Sequence, residues 1–194
     1  MSNKVQIGVS AMFVPTKEGF CNMSPIDFEK YSLCLLEQQT SGLENLEIEH
    51  NVIIEKSHGS YQIDGIIRFD IMGIRDTTLV ECKHYKNTIS REKVQFLYDK
   101  IRTIGAQKGI LISTSGFQSG ATKYASEHGI ALIQITEADT IFESRGQLNV
   151  IQNSLNLYNG GIPYIGVMQE SKDIGITCKH LRVNSEYLKE FLLS

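Results

Sequence analysis

Gln62-Ile63-Asp64-Gly65-Ile66-Ile67-Arg68-Phe69, a turn at Gly73 to Asp76, and then Thr78-Leu79-Val80-Glu81-Cys82-Lys83-His84 form the stretch from which the rest of the chain is read. Two apolar runs on either side of a glycine-containing turn predict an antiparallel hairpin. Successive side chains of a strand alternate faces, so Leu79, Glu81 and Lys83 share one face while Val80 and Cys82 take the other. An acid and a base therefore stand on one side of an otherwise apolar strand, and a hairpin partner carrying Asp64 can bring a second carboxylate alongside. Two carboxylates and a lysine at the end of a buried hairpin can hold a hard divalent cation and pair with a water beside it, which is what phosphodiester hydrolysis needs. Burying three charges together is expensive unless a metal or substrate compensates. The plainer alternatives are a turn or edge-strand aspartate at Asp64 and a strand-end ion pair at Glu81 and Lys83, worth little if exposed.

Outward from the hairpin the apolar spacing changes. Upstream, Ser24-Pro25-Ile26-Asp27 supplies an N-cap, a first-position proline and a first-turn acid, predicting a helix to about Gln39 with Phe28, Tyr31, Leu35 and Cys34 as its stripe and Gly42 beyond its end. Leu46, Ile48, Val52 and Ile54 then alternate as a strand. Downstream, Ser90 is placed to cap a helix with Val94, Leu97, Ile101 and Ile104 on one face and Gly105 at its close. Gly109 to Ser113 reads as a buried strand, Ser119 to His128 as a helix stopped by Gly129, and Ile130 to Ile135 as another buried strand. Strands alternating with helices after an antiparallel hairpin predict an α/β protein, a mixed sheet with helices on both faces.

The chain has 194 residues and 41% apolar content, enough for one core with an appendage. No stretch approaches the roughly 18 apolar residues of a membrane span, and the N-terminus lacks a charged start before an apolar core, so a cytoplasmic protein with no membrane partner is expected. Cys21, Cys34, Cys82 and Cys178 show no CxxC or zinc-ligand spacing and read as reduced, mostly buried residues. The net charge of −3 hides an asymmetry: Glu18 to His50 holds seven acids and one base, whereas Lys83 to Lys108 holds seven bases and two acids. A basic face beside the hairpin suits phosphate binding, although a solvated helix face has the same composition.

Asp64 followed by Glu81-Cys82-Lys83 resembles the D...(D/E)xK motif of the PD-(D/E)xK nuclease superfamily. Lys108-Gly109-Ile110-Leu111-Ile112-Ser113-Thr114-Ser115-Gly116-Phe117-Gln118-Ser119-Gly120-Ala121, Tyr124-Ala125 and His128-Gly129-Ile130-Ala131-Leu132-Ile133 are similar to the Mrr-like restriction endonuclease domains, in which the strand after the catalytic helix ends in a Thr/Ser-rich turn and a Gly-Phe pair. The resemblance spans Ser24 to Glu143. It implies a restriction-endonuclease-like mixed β-sheet flanked by helices, over residues 24–143. Residues 1–23 are then an arm or edge element, and 144–194 an accessory or oligomerisation segment with short strands near Ile162 to Val167 and Ile174 to Cys178 and an apolar stripe of Tyr187, Leu188, Phe191 and Leu192.

The resemblance implies a metal-dependent endodeoxyribonuclease in a bacterial defence setting, with Asp64, Glu81 and the backbone carbonyl of Cys82 holding Mg²⁺, for which Mn²⁺ substitutes, and Lys83 acting on the attacking water. By the same resemblance Glu29 matches an acid that holds a second metal or a metal-bound water, or else is a solvated helix residue. Gln95 matches a polar residue that touches substrate or a site carboxylate, or else faces solvent. His84, Lys86, Arg91, Lys93, Ser115 and Gln118 stand near the ends of the two adjacent strands or in the basic run and are candidate DNA contacts, with ordinary loop polarity as the alternative. No second histidine stands near enough to His84 or His58 to make either a metal ligand, and the Cys82 side chain reads as core. Cutting both strands of DNA takes two sites, so a homodimer or larger homo-oligomer is expected, with a regulatory or specificity partner where no DNA-reading domain is recognisable. The alternatives are a nuclease-fold binding module without catalysis, and a nuclease for branched DNA or RNA. A doubly wound ligand-binding domain expects a glycine-rich phosphate loop, and none is present.

Overall fold

The computed structural model of the protein describes residues 23–57, 59–137, 164–172, 175–182 and 185–194. Nearly all of the 1–23 arm, with Cys21, lies outside them, as does His58. Ser24 opens helix α1 (Pro25–Thr40) as expected: its Oγ accepts the Asp27 N–H at 3.2 Å and donates to the Asp27 carboxylate at 2.7 Å. Three strands follow, β1 (Glu44–Lys56), β2 (Gly59–Ile71) and β3 (Ile74–Lys83). The β2–β3 turn is tighter than the sequence suggests. Ile71 pairs with Ile74, and only Met72 and Gly73 remain, both left-handed at φ 51° and 80°, the backbone that keeps a two-residue hairpin twisted.

Helix α2 (Arg91–Ile104) ends where Gly105 adopts φ 83° and returns its N–H to the Ile101 carbonyl. Ser90 occupies the N-cap position with extended backbone, but its side chain makes no capping bond. Strand β4 (Lys108–Ser113), helix α3 (Ser119–Glu127) and strand β5 (Ile130–Glu137) complete the segment read from the sequence, and β6 (Tyr164–Lys172), β7 (Gly175–Leu181) and helix α4 (Tyr187–Leu193) follow. The seven strands form one sheet in chain order. β3–β4 and β4–β5 pair in parallel, and the other four pairings are antiparallel. Parallel neighbours need crossovers, and α2 and α3 supply them.

Two apolar layers sandwich the sheet. On one face Phe28, Tyr31, Leu33 and Leu36 of α1 and Leu188 and Leu192 of α4 pack on Ile67, Val80, Ile110 and Ile133. On the other, Val94, Leu97 and Ile101 of α2 and Ala121 and Ala125 of α3 pack on Ile66, Leu79, Leu111 and Leu132. The stripe expected to meet a neighbouring subunit is thus divided. Leu188 and Leu192 are buried within the chain's own core, Phe191 is partly buried against it, and Tyr187 remains exposed. α1 and the approach to α4 are also tied by polar bonds: Gln39 donates to the Arg182 carbonyl at 2.9 Å and accepts from Ser185 Oγ at 2.6 Å.

The pleat of β1 breaks midway. Leu46, Ile48, Val52 and Ile54 have one parity and should share one face, yet Leu46 and Ile48 pack on the α1 side and Val52 and Ile54 on the α2 side. Between them Asn51 is left-handed at φ 53°. The partner strand changes face at the same level, with Ile63 in the α2 layer and Ile67 and Phe69 in the α1 layer. The pairs His50–Gly65 and Val52–Ile63 bracket this point, so Asn51 and Asp64 lie at the change. A single left-handed residue re-aims the side chains that follow it. Gln62 Nε2 holds Asn51 Oδ1 at 2.8 Å. Asn51→Val, which puts a β-branched residue at positive φ, should cost roughly 1–2 kcal/mol, and Asn51→Gly less. Urea midpoints at unchanged slope read this directly, and an Asn51→Val midpoint equal to that of the wild type would disprove it.

Candidate active site

The β2–β3 ladder runs outward to Gly65–Val80, and the next residues on the two strands are Asp64 and Glu81. Alternation places Glu81 and Lys83 on the face of Leu79, beneath α2, while Val80 and Cys82 join the α1 layer. Asp64 Oδ2 accepts the backbone N–H of Cys82 at 2.7 Å. That bond fixes the carboxylate across the strand from Glu81. Glu81 Oε1 accepts from Lys83 Nζ at 2.5 Å, and Glu81 Oε2 accepts from Lys100 Nζ at 2.8 Å. The side chains of Glu81, Lys83 and Lys100 are only 13%, 19% and 21% exposed, so these pairs are largely shielded from water.

Burial and environment drive the two carboxylates in opposite directions. Burial raises the Asp64 carboxyl above the ordinary range and the charges of Glu81 and Glu29 add to it; the Cys82 N–H and Lys83 only partly offset them. Burial also opposes ionisation of Glu81, but Lys83 and Lys100 outweigh it and hold that carboxyl below its usual value. Burial works against the charge on Lys83 as well, and Glu81 and Asp64 overcome it, so the ammonium loses its proton less readily than a free lysine. Paired titratable groups pushed apart in this way are a feature of functional sites and of structural ion-pair networks alike.

Glu29 of α1 is close enough to raise Asp64, and His50 Nε2 of β1 lies 2.8 Å from its Oε2. It is therefore held at the edge of the site by a partner that the sequence did not suggest. Gln95 makes no hydrogen bond to Asp64, Glu81 or Lys83 among the described residues. At about 100° per residue it lies roughly 140° around α2 from Lys100. It sits nearer the flank on which Arg91 covers the Tyr124 ring at 5.0 Å and Arg102 the Tyr98 ring at 5.9 Å. The expectation that it touches a site carboxylate is not met in this conformation.

Other candidates are distributed around the β3–α2 loop. His84 is half-buried, with its ring 5.4 Å from that of Phe28. Ser115 is buried, and its hydroxyl donates to the Asn87 carbonyl at 2.7 Å. Thr114 Oγ1 likewise donates to the Tyr85 carbonyl at 2.8 Å. The Thr/Ser turn after β4 thus clamps the loop, and Ser115 is not an exposed DNA contact here. Lys86, Arg91, Lys93 and Gln118 are exposed. The Cys82 thiol is buried in the α1 layer and held well above its ordinary pKa, first by burial and then by the charge of Asp64, which rules it out as a thiolate nucleophile.

The donor set suits a hard divalent cation: Asp64, Glu81 and the Cys82 carbonyl are all oxygen donors, and Asp64 Oδ1 carries no hydrogen bond from a described residue. Among the described residues no three His, Cys, Asp or Glu side chains cluster as a metal cage. Mg²⁺ does not require one, since it keeps several waters and takes one or two carboxylates plus substrate phosphate oxygens.

A mixed sheet with helices on both faces, carrying an acid and an ExK pair on adjacent strands, is the architecture of a restriction-endonuclease-like nuclease domain. Residues 20–142 match the Mrr_cat restriction endonuclease family model, and the chain belongs to that family. The Type IV methyl-directed restriction enzyme EcoKMrr of Escherichia coli (strain K12) is 30% identical over 117 residues, 60% of this chain and 37% of that protein. The chain therefore matches little more than a third of the length of this curated relative. Among solved structures, the protein of unknown function AF1548 aligns at a TM-score of 0.45 with 21% identity over 54% of each chain. The DNA modification-dependent restriction endonuclease AspBHI aligns at 0.39 with 20% identity, over 56% of this chain and 28% of its own. No helix among the described residues is long and apolar enough to cross a membrane.

The opposed carboxylates give a stability test. Ionised Asp64 costs stability above its raised folded value, and this cost fades as pH falls toward the unfolded value of about 3.9. Asp64→Asn should raise the thermal midpoint near pH 7 by roughly 2–4 °C, corresponding to about 1 kcal/mol, with the gain vanishing near pH 4. Glu81→Gln should lower it, because Lys83 and Lys100 lose their counter-charge. A lower midpoint for Asp64→Asn across the whole pH range would contradict the strain assigned to that carboxylate.

Proposed function

We propose that the chain is a metal-dependent endodeoxyribonuclease that hydrolyses DNA phosphodiester bonds in a restriction setting, with Mg²⁺ as cofactor and Mn²⁺ as its substitute. The observation that carries this reading is the convergence of Asp64, Glu81 and Lys83 at one strand end in a chain of the restriction endonuclease family. Asp64, Glu81 and the Cys82 carbonyl would hold the cation. The cation supplies charge neutralisation for the phosphoryl oxygens. Lys83, whose ammonium is held by Glu81 and Asp64, would position or deprotonate the attacking water. Glu29, steadied by His50, maintains negative potential beside Asp64. Lys86, Arg91 and Lys93 provide exposed charge for the backbone of DNA. Cleavage of both strands takes two such sites, which favours a homo-oligomer or a partner chain.

The other reading, a nuclease-fold module that binds without cutting, has one observation in its favour: both oxygens of Glu81 are occupied by lysines. Activity measurements separate the two. Because the E. coli relative is a methyl-directed enzyme, methylated duplex belongs beside unmodified, branched and RNA substrates. Asp64→Ala, Glu81→Ala and Lys83→Ala should each reduce Mg²⁺-dependent cleavage by about three orders of magnitude or more while circular dichroism is unchanged, and double variants should lose little more, because the groups act as one unit. Near-normal cleavage by Lys83→Ala would remove the assignment.

DNA binding in Ca²⁺ offers an independent check. Affinity should fall steeply with salt, and each charge removed at Lys86, Arg91 or Lys93 should reduce the slope of log K against log salt by about one. A salt-independent affinity would show that this face is merely solvated.

A further inference from the structure

Lys100 is the one member of the charged cluster that belongs to no motif in the chain. It stands on α2, its Nζ 2.8 Å from Glu81 Oε2 and 3.0 Å from the Gln62 carbonyl, with its side chain largely shielded from solvent. The Gln62 carbonyl belongs to β2, two residues before Asp64, so Lys100 ties α2 to both strands that carry the carboxylates. Lys83 reaches Glu81 from its own strand and occupies the other oxygen, Oε1. With an ammonium on each oxygen, a cation that approaches Glu81 must compete with two positive charges. Lys83 lies two residues along the same strand, where the backbone fixes its proximity. Lys100 sits on a separate element, at the end of a long flexible side chain with three donors, and is the partner that can leave.

We propose that Lys100 is a positioning residue that withholds Glu81 from the cation until a DNA phosphate draws its ammonium away. This rests on reading Asp64 and Glu81 as cation ligands, and adds that cation and DNA bind cooperatively because one lysine serves two alternative anions. In the free protein the Lys100 ammonium neutralises Glu81 Oε2. When a phosphodiester arrives, its oxygens offer the ammonium an equivalent partner, and the vacated carboxylate oxygen would be free to hold a cation together with Asp64. Phe96 and Lys93 lie one and two turns N-terminal on the same flank of α2, and both are exposed, so that flank borders solvent close to Lys100. By linkage, the factor by which the cation raises DNA affinity equals the factor by which DNA raises cation affinity.

The test is Mn²⁺ binding to the full chain without DNA, followed by electron paramagnetic resonance of the free ion, for wild type, Lys100→Met, Lys100→Arg and Lys123→Met. Lys123 is exposed on α3 and controls for the loss of one positive charge. Lys100→Met should bind Mn²⁺ about tenfold more tightly than wild type, a difference of roughly 1.4 kcal/mol, with Lys100→Arg and Lys123→Met near wild type. In a second measurement, Ca²⁺ should strengthen binding of a short duplex by wild type several-fold more than by Lys100→Met, at equal thermal midpoints. Mn²⁺ affinity of Lys100→Met equal to or weaker than wild type overturns the inference, as does a gain matched by Lys123→Met. If wild type cleaves DNA with Mg²⁺ while these affinities do not differ, only the role of Lys100 fails. If neither protein binds Mn²⁺, the cation reading of Asp64 and Glu81 fails with it.

Discussion

The arrangement of the site follows from one backbone hydrogen bond, from the N–H of Cys82 to the carboxylate of Asp64. It takes the place of the next rung of the β2–β3 ladder, at the level where the hairpin stops pairing and the pleat changes face. A buried carboxylate facing another carboxylate would otherwise turn away or take up a proton. Here a backbone donor anchors Asp64, and two lysines neutralise Glu81, so both acids are held at the ends of neighbouring strands. Because the anchor is main chain, it depends on the registry of β3 against β2, which in turn depends on the Met72–Gly73 turn and on close packing beneath Gly65. A side chain on Gly65 would run into Leu33 of α1, its Cβ only 2.4 Å from Leu33 Cδ2. The core thus presses helix and hairpin together at the point where Glu29 and His50 meet.

The charges in this cluster are unequal in purpose. Two acids and two lysines nearly cancel, as a buried cluster must if it is to persist without substrate. A third acid, Glu29, is taken up by His50. The Asp64 carboxyl is raised by its surroundings and, among the described residues, is bonded through one oxygen. A perturbed group held by satisfied neighbours fits the cation-holding role proposed for Asp64. The same balance explains why an isolated D...ExK spacing says little by itself. A surface ion pair would produce it too, and only the burial of the pair and its second lysine distinguish the two cases.

Much of this was legible in the sequence because it follows from period and capping. The alternation from Leu79 to Lys83, the Ser24-Pro25 helix start, the Gly105 stop and the apolar runs of β4 and β5 are local signals, and each corresponds to the element expected. What the sequence did not disclose depends on rotation about an element or on a single φ. Leu46, Ile48, Val52 and Ile54 share parity, and nothing in their spacing reveals that Asn51 turns the pleat between them. Lys100 was visible only as one basic residue among seven, since placing it over Glu81 requires knowing which flank of α2 faces the hairpin. Gln95 was matched by resemblance to a residue that touches substrate or a site carboxylate, with solvent as the alternative, and it lies on the flank away from Lys100. Ser115 looked exposed because it sits in a polar turn, yet that turn spends its hydroxyls on the loop beneath it.

The C-terminal strands show the same limit from the other side. Beyond residue 143 the apolar pattern weakens, and a stripe on a short terminal helix invites the idea of a subunit contact. Yet β6 and β7 continue the sheet from β5, and Leu188 and Leu192 complete the layer that α1 begins. A helix of this length has little stability alone and gains its order from what it covers. The first such surface available to α4 is the one left open between α1 and the outer strands. Lys108, at the start of β4, strengthens that choice by reaching the Phe191 carbonyl and lying over its ring. Among the described residues, the surfaces left to an assembly of two chains include the β1 and β7 ends of the sheet and exposed residues such as Ile53, Ile176 and Tyr187. Charged side chains along β1 make that edge a poor template for strand addition. β7 carries fewer, and of the two edges it is the one on which a second chain would meet less electrostatic resistance.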